Sequence, residues 1–163
     1  MCGSARWDVV FLNPDAGDWG KGRPGNASMA GNGTINKILI VDDEPPIADT
    51  LALILRSRGY EVKAVYSAEE AIETIAVWAP QLAIVDVMLP LMNGIDLSIV
   101  LKANHAGCEI LLFSGQPDTG PLLEEALRKG HRFEVLTKPL HPGFLLERVQ
   151  MLLGTWREPF TDA

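Results

Sequence analysis

Ile38-Leu39-Ile40-Val41-Asp42-Asp43-Glu44 is the stretch on which the fold turns. Four apolar residues, three of them β-branched, read as a buried strand, and the acidic residues that follow begin a loop. Three further stretches repeat the pattern: Leu82-Ala83-Ile84-Val85-Asp86, Ile110-Leu111-Leu112-Phe113-Ser114-Gly115 and Val135-Leu136-Thr137-Lys138-Pro139. In an open parallel sheet the carboxyl ends of the strands share one edge, and ligands bind there. Asp42, Asp43, Asp86, Ser114 and Lys138 are therefore expected to meet in one pocket.

Outward from these runs, short β-branched segments alternate with helical patterns from Lys37 onward, the signature of repeated βα units. Strands are predicted near 37–41, 61–65, 82–86, 109–113 and 133–137, and helices near 45–58, 68–78, 94–103, 119–129 and 142–153. Pro45-Pro46 is tolerated in a first helical turn, and Ile47, Leu51, Ile54 and Leu55 share one face before Gly59. Ser67 is a candidate N-cap for the second helix, and Pro80 ends it. The third helix carries Ile95, Ile99 and Val100; Pro121 restricts where the fourth begins. The expected fold class is α/β: a doubly wound, five-stranded parallel sheet flanked by five helices.

Residues 1–34 differ in composition. Gly, Asn, Pro and Ser recur from Asn13 through Gly33, and Trp7-Asp8-Val9-Val10-Phe11-Leu12 is the one apolar island. Such a segment cannot bury enough surface to offset chain entropy, so a disordered N-terminal extension is expected. Met29 stands just ahead of the first strand as an alternative start. Gly20-Lys21-Gly22 is not a phosphate-binding loop, because the GxxxxGK[ST] spacing is absent. Residues 154–163 read as a short tail with no room for a helix-turn-helix, which predicts a stand-alone domain.

With 163 residues and 47% hydrophobic content, the chain suits one domain with a real core. A net charge of −7 disfavours nonspecific nucleic-acid binding, which needs a basic face. No apolar run approaches a membrane span, so neither nucleic acid nor membrane is an expected partner. Cys2 and Cys108 lie far apart and outside any metal-ligand spacing, which reads as free thiols in a reducing cytoplasm. His105, His131 and His141 are scattered and expected to be solvated.

Taken singly, the strand-end residues have ordinary explanations. Aspartates before a helix commonly cap it, a serine often ends a strand, and a lysine often precedes a turn proline. The set taken together is more specific. A third carboxylate, Asp86, beside Asp42 and Asp43 is unfavourable unless a cation joins them. Mg²⁺ suits this, being a hard ion that takes one or two carboxylates and completes its shell with water and phosphate oxygens. Lys138 supplies a fixed positive charge, Ser114 a hydroxyl donor, and Gly115 leaves space beside it for a tetrahedral anion. Pro139 is a candidate for a cis peptide bond.

Over residues 36–153 the sequence resembles the receiver domain of bacterial two-component response regulators, a flavodoxin-like fold. The matching residues are Val41-Asp42-Asp43-Glu44, Asp86-Val87-Met88-Leu89-Pro90-Leu91-Met92-Asn93-Gly94, Ser114-Gly115 and Lys138-Pro139. The resemblance implies Asp86 as phosphoacceptor and Mg²⁺ held by Asp42, Asp43, Asp86 and the Met88 carbonyl. It further implies Ser114, Gly115 and Lys138 around the phosphoryl group. The implied partners are a histidine kinase or histidine phosphotransfer protein as donor and a downstream protein as target, with no turnover of a separate substrate. One position departs from the family: an aromatic residue usually stands three places before the lysine, and here it is Val135. The alternative is a pseudo-receiver that keeps the fold as a phosphorylation-independent protein interaction module, against which the intact Asp42, Asp43, Asp86, Ser114 and Lys138 set argues. A nucleotide or flavin enzyme would need a glycine-rich loop where Asp43-Glu44-Pro45-Pro46 stands.

Overall fold

The computed structural model describes residues 36–116 and 118–155. Its elements are β1 (Lys37–Val41), α1 (Pro45–Arg56), β2 (Glu61–Val65), α2 (Ala68–Val77) and β3 (Leu82–Asp86), then α3 (Gly94–Asn104), β4 (Glu109–Ser114), α4 (Gly120–Arg128), β5 (Glu134–Thr137) and α5 (Pro142–Leu152). The expectations for residues 1–34 and for the tail beyond Thr155 lie outside the described residues.

The five strands form one parallel sheet in the order β2-β1-β3-β4-β5. The chain leaves β1 toward one edge and returns through β3 to the other, so the reversal of direction falls between β1 and β3. That reversal opens a crevice at the carboxyl ends of those two strands, where Asp42 and Asp86 stand.

Alternation along each strand divides the interior in two. Leu39, Val41, Ala83, Val85, Ile110 and Leu112 face a core completed by α2, α3 and α4. Ile38, Ile40, Leu82, Ile84, Leu111 and Phe113 face a second core closed by α1 and α5. Both faces are covered, which is why these strands are nearly continuous apolar runs.

The helix boundaries follow local chemistry. Ser67 caps α2 by accepting a hydrogen bond from the Glu70 N–H at 3.2 Å, and the Glu70 carboxylate accepts in turn from the Tyr66 N–H at 3.0 Å. Proline occupies the first turn of α1, α4 and α5. Gly59 follows α1 with φ +88°, a value that suits glycine. The buried face of α1 is Ala48, Leu51, Ala52 and Leu55, so two small residues pack closest to the sheet. Ile47 and Ile54, expected on that face, are only half-buried: Ile47 packs at the margin of the core, and both line, with Leu51, a groove of about 610 Å³ between α1 and α5.

Two features close the edge at β2. Trp78 Nε1 donates to Glu61 Oε1 at 2.9 Å, and the Lys63 ammonium lies 4.9 Å from its ring centroid. Charge on the edge strand and a buried indole beside it leave β2 a poor template for a further strand. Among the described residues no helix is long and apolar enough to cross a membrane.

Candidate functional site

β1 delivers Asp42 and Asp43 to the sheet's carboxyl edge, and β3 delivers Asp86 beside them. One oxygen from each of the three carboxylates lies within 4.8 Å of the others. Asp42 and Asp86 are 2% and 4% exposed, while Asp43 is open to solvent. The Asp42 carboxylate has two tasks. Its Oδ1 accepts from the Glu44 N–H at 2.9 Å, and its Oδ2 accepts from Lys138 Nζ at 3.0 Å. Asp42 is not the cap of α1, a position that Glu44 takes without a side-chain bond; its Oδ1 instead holds the turn that leads into the helix.

Asp86 divides its oxygens in the same way. Oδ1 accepts from the Met88 N–H at 3.1 Å and Oδ2 from Lys138 Nζ at 3.2 Å. Burial pushes its carboxyl above the ordinary carboxylate range, and the Met88 N–H and the Lys138 charge only partly offset this. At Lys138 burial works against the ammonium, but the hydrogen bond to Asp42 and the charges of Asp86 and Asp42 outweigh it, so its pKa is raised. Three carboxylates against one ammonium leave a surplus negative charge on hard oxygen donors. The chemistry of that donor set fits a divalent cation such as Mg²⁺.

Ser114 ends β4 and is buried. Its hydroxyl donates to the Gln116 carbonyl and accepts from the Gln116 N–H, each at 3.1 Å, so it is closed into its own loop. Backbone bonds lock the three strand ends together. The Val87 N–H donates to the Phe113 carbonyl and the Lys138 N–H to the Ser114 carbonyl, both at 2.8 Å. The Lys138–Pro139 peptide is cis, as its sequence position suggested. Gly115 is exposed, and a Cβ there would meet only the Lys138 stem at 3.8 Å. The structure thus brings Asp42, Asp43, Asp86 and Lys138 together, sets the Met88 N–H on Asp86, and joins Ser114 and Gly115 to Lys138.

A family model, the response regulator receiver domain, matches residues 38–150. The chain belongs to the response regulator receiver family. Two curated relatives are the DNA-binding response regulator MtrA of Mycolicibacterium smegmatis, 34% identical over 117 residues, and the regulatory protein VanR of Enterococcus faecium, 36% identical over 123. Those alignments cover 72% and 76% of this chain and 50% and 52% of the relatives, so the chain spans about half the length of the curated relatives it matches. A CheY-like receiver domain from Methanospirillum hungatei superposes with a TM-score of 0.67 at 29% identity, over 75% of this chain and 97% of that one.

Several parts of this receiver's site escaped the sequence reading. Asn93 caps α3 by accepting from the Asp96 N–H at 2.8 Å, a signal legible in Asn93-Gly94-Ile95-Asp96. Gly94 is pressed against the Asp86 backbone, and Phe113 lies beneath the Lys138 ammonium. The Phe113–Lys138 contact joins residues distant along the chain and has no sequence signature; Gly94 belongs to the same short stretch as Asp86, but the stretch does not announce how closely the two backbones approach. Of the histidines, His141 is exposed as expected, whereas His105 and His131 are half-buried. His105 Nε2 lies 3.0 Å from the Ile75 carbonyl, His131 stacks on Phe133, and His141 Nδ1 accepts from the Gly143 N–H at the start of α5.

Proposed function

We propose that this receiver accepts a phosphoryl group on Asp86 from a phosphohistidine of a histidine kinase or histidine phosphotransfer protein, and signals by docking to a further protein. The observation that carries this reading is Lys138, whose ammonium bridges Asp42 and Asp86 at the mouth of the crevice. An Asp86 carboxylate oxygen attacks phosphorus in line. The O–P bond forms as the N–P bond breaks, and the electron pair leaves with the donor imidazole. Lys138 stabilises charge on the phosphoryl oxygens, and the exposed mouth admits the donor. Mg²⁺, when held by Asp42, Asp43, Asp86 and the Met88 carbonyl, would neutralise the same oxygens. The chain acts here as a phosphoacceptor that promotes its own modification, not as a turnover enzyme. That role belongs with a cytoplasmic location, where histidine kinases present their phosphohistidine.

The groove between α1 and α5 begins at Gly115 and Lys138, so a donor protein has apolar surface to bury alongside the site. After transfer, the phosphoryl oxygens offer Ser114 a charged acceptor in place of the Gln116 carbonyl. Movement of the loop from Gly115 to Gly120 would carry the signal, because Val135 is β-branched, stiff and unable to act as an aromatic gate. Protein docking rather than DNA binding is proposed as the output because the chain is acidic. DNA binding belongs to the printed description of MtrA, which is about twice as long as the aligned region.

Incubation of the full chain with phosphoramidate and Mg²⁺, followed by intact mass, tests the reading. One phosphoryl group is expected on the wild type and none on Asp86→Asn. Asp43→Ala should lose measurable Mg²⁺ binding by titration. Undiminished phosphorylation of Asp86→Asn, or unchanged Mg²⁺ affinity in Asp43→Ala, would overturn the assignment.

A further inference from the structure

We infer that Phe113 is a positioning residue for Lys138: its ring holds the ammonium over the crevice when a metal ion takes up the carboxylates. This rests on the reading of Asp86 as phosphoacceptor. The Lys138 ammonium lies 5.5 Å from the Phe113 ring centroid, within reach of the ring's negative face, and Phe113 is almost fully buried. Buried surroundings strengthen such an attraction, since water does not compete for the cation. The stem of the lysine passes Gly115, where a Cβ would stand 3.8 Å from Cδ, and the head then meets Asp42, Asp86 and the ring.

These partners differ in what a metal ion does to them. Asp42 and Asp86 belong to the three-carboxylate cluster, so a divalent cation draws on the same acceptors as the ammonium and repels it. A phenyl ring offers no oxygen to a hard cation and stays available to the lysine. The ring therefore keeps Lys138 in place without neutralising it, at the moment when its charge is needed on the phosphoryl oxygens. Sheet register fixes the arrangement: Phe113 stands opposite Asp86 on β3 and opposite Leu136 on β5, two residues before the lysine.

The test compares the full-length wild type with Phe113→Leu, Phe113→Met and Phe113→Tyr, each checked for cooperative melting. Three quantities are read: the ring-current shift of the Lys138 Cε protons with and without Mg²⁺, the Mg²⁺ affinity, and the rate of phosphorylation by phosphoramidate. The wild type should show an upfield Cε proton shift that persists when Mg²⁺ is added. Phe113→Leu and Phe113→Met should lose that shift and phosphorylate about threefold to tenfold more slowly, with Mg²⁺ affinity unchanged or tighter, while Phe113→Tyr stays within about twofold of wild type. General damage to the site would instead weaken Mg²⁺ binding and phosphorylation together in all three variants, and that result would overturn the inference. So would wild-type rates in the Leu and Met variants, or no ring-current shift in the metal-free wild type. The shift is read without phosphorylation, so a wild type that takes no phosphoryl group would refute Asp86 as acceptor and leave the Phe113–Lys138 contact separately judged.

Discussion

Gly94 sits directly against the backbone of Asp86: a Cβ at position 94 would lie 2.0 Å from the Asp86 carbonyl oxygen and 2.7 Å from its carbonyl carbon. The Gly94 N–H also donates to the Val87 carbonyl at 2.9 Å, so the first turn of α3 is welded to the end of β3. The proposed phosphoacceptor is held from below by a helix start and from above by Lys138.

Replacing Gly94 by alanine forces one backbone or the other to move. Gly94→Ala should destabilise the fold by about 1–3 kcal/mol, the range of overpacking in a tight interior, and should displace Asp86 relative to Lys138. Urea denaturation reads the first effect, and the rate of phosphorylation by phosphoramidate reads the second. A variant with wild-type values of both would show that the contact relaxes without consequence.

Leu91 has φ +68° and is 97% exposed, so its side chain gains almost nothing from the protein while its backbone sits in the left-handed region. Leu91→Gly should raise stability by about 0.5–1 kcal/mol, the relief of strain less the extra freedom glycine gives the unfolded chain. The midpoint of urea unfolding should move upward. A lower midpoint would mean that the leucine side chain makes a stabilising contact.

Burial pushes the Cys108 thiol from 9.0 up to about 11, with Lys102 opposing the shift. The folded protein therefore holds this proton more tightly than the unfolded chain does. The resulting stabilisation is complete below pH 9 and disappears as pH rises toward 11, a loss of about 2–3 kcal/mol. Tyr60, also raised by burial, acts in the same direction. Cys108→Ala should lose less stability than wild type between pH 8 and pH 11 in urea titrations. Equal alkaline losses in the two proteins would remove Cys108 as their cause.

Much of the architecture was legible because local and global signals agree. β1, β2, β3 and β4 stand where the apolar runs placed them, and each αβ boundary carries a proline, a glycine or a capping hydroxyl. β5 begins one residue later than expected, at Glu134, as Phe133 stacks on His131 instead of pairing with β4. The strand-end chemistry was legible for the same reason, since a parallel sheet fixes which end of each strand faces the ligand. Less legible was what depends on three-dimensional proximity: the closeness of Gly94 to Asp86, the ring beneath Lys138, and the turning of Ile47 and Ile54 toward the groove. Helical periodicity counts apolar residues but does not say which of them touches the sheet and which lines a cleft, and here alanines took the closer place.

The mutual hydrogen bonds of Ser114 and Gln116 give the site a thermodynamic character beyond its geometry. A hydroxyl that turned from an empty crevice to a phosphoryl oxygen would simply gain a bond, and the switch would run one way. Here it must surrender a donor bond to make one, so the change is an exchange reaction in which bonds made and broken nearly balance. What remains to drive it is the difference between a charged acceptor and a neutral carbonyl, a modest bias. The bias on this hydroxyl is therefore the difference between two hydrogen bonds, and not the whole of one.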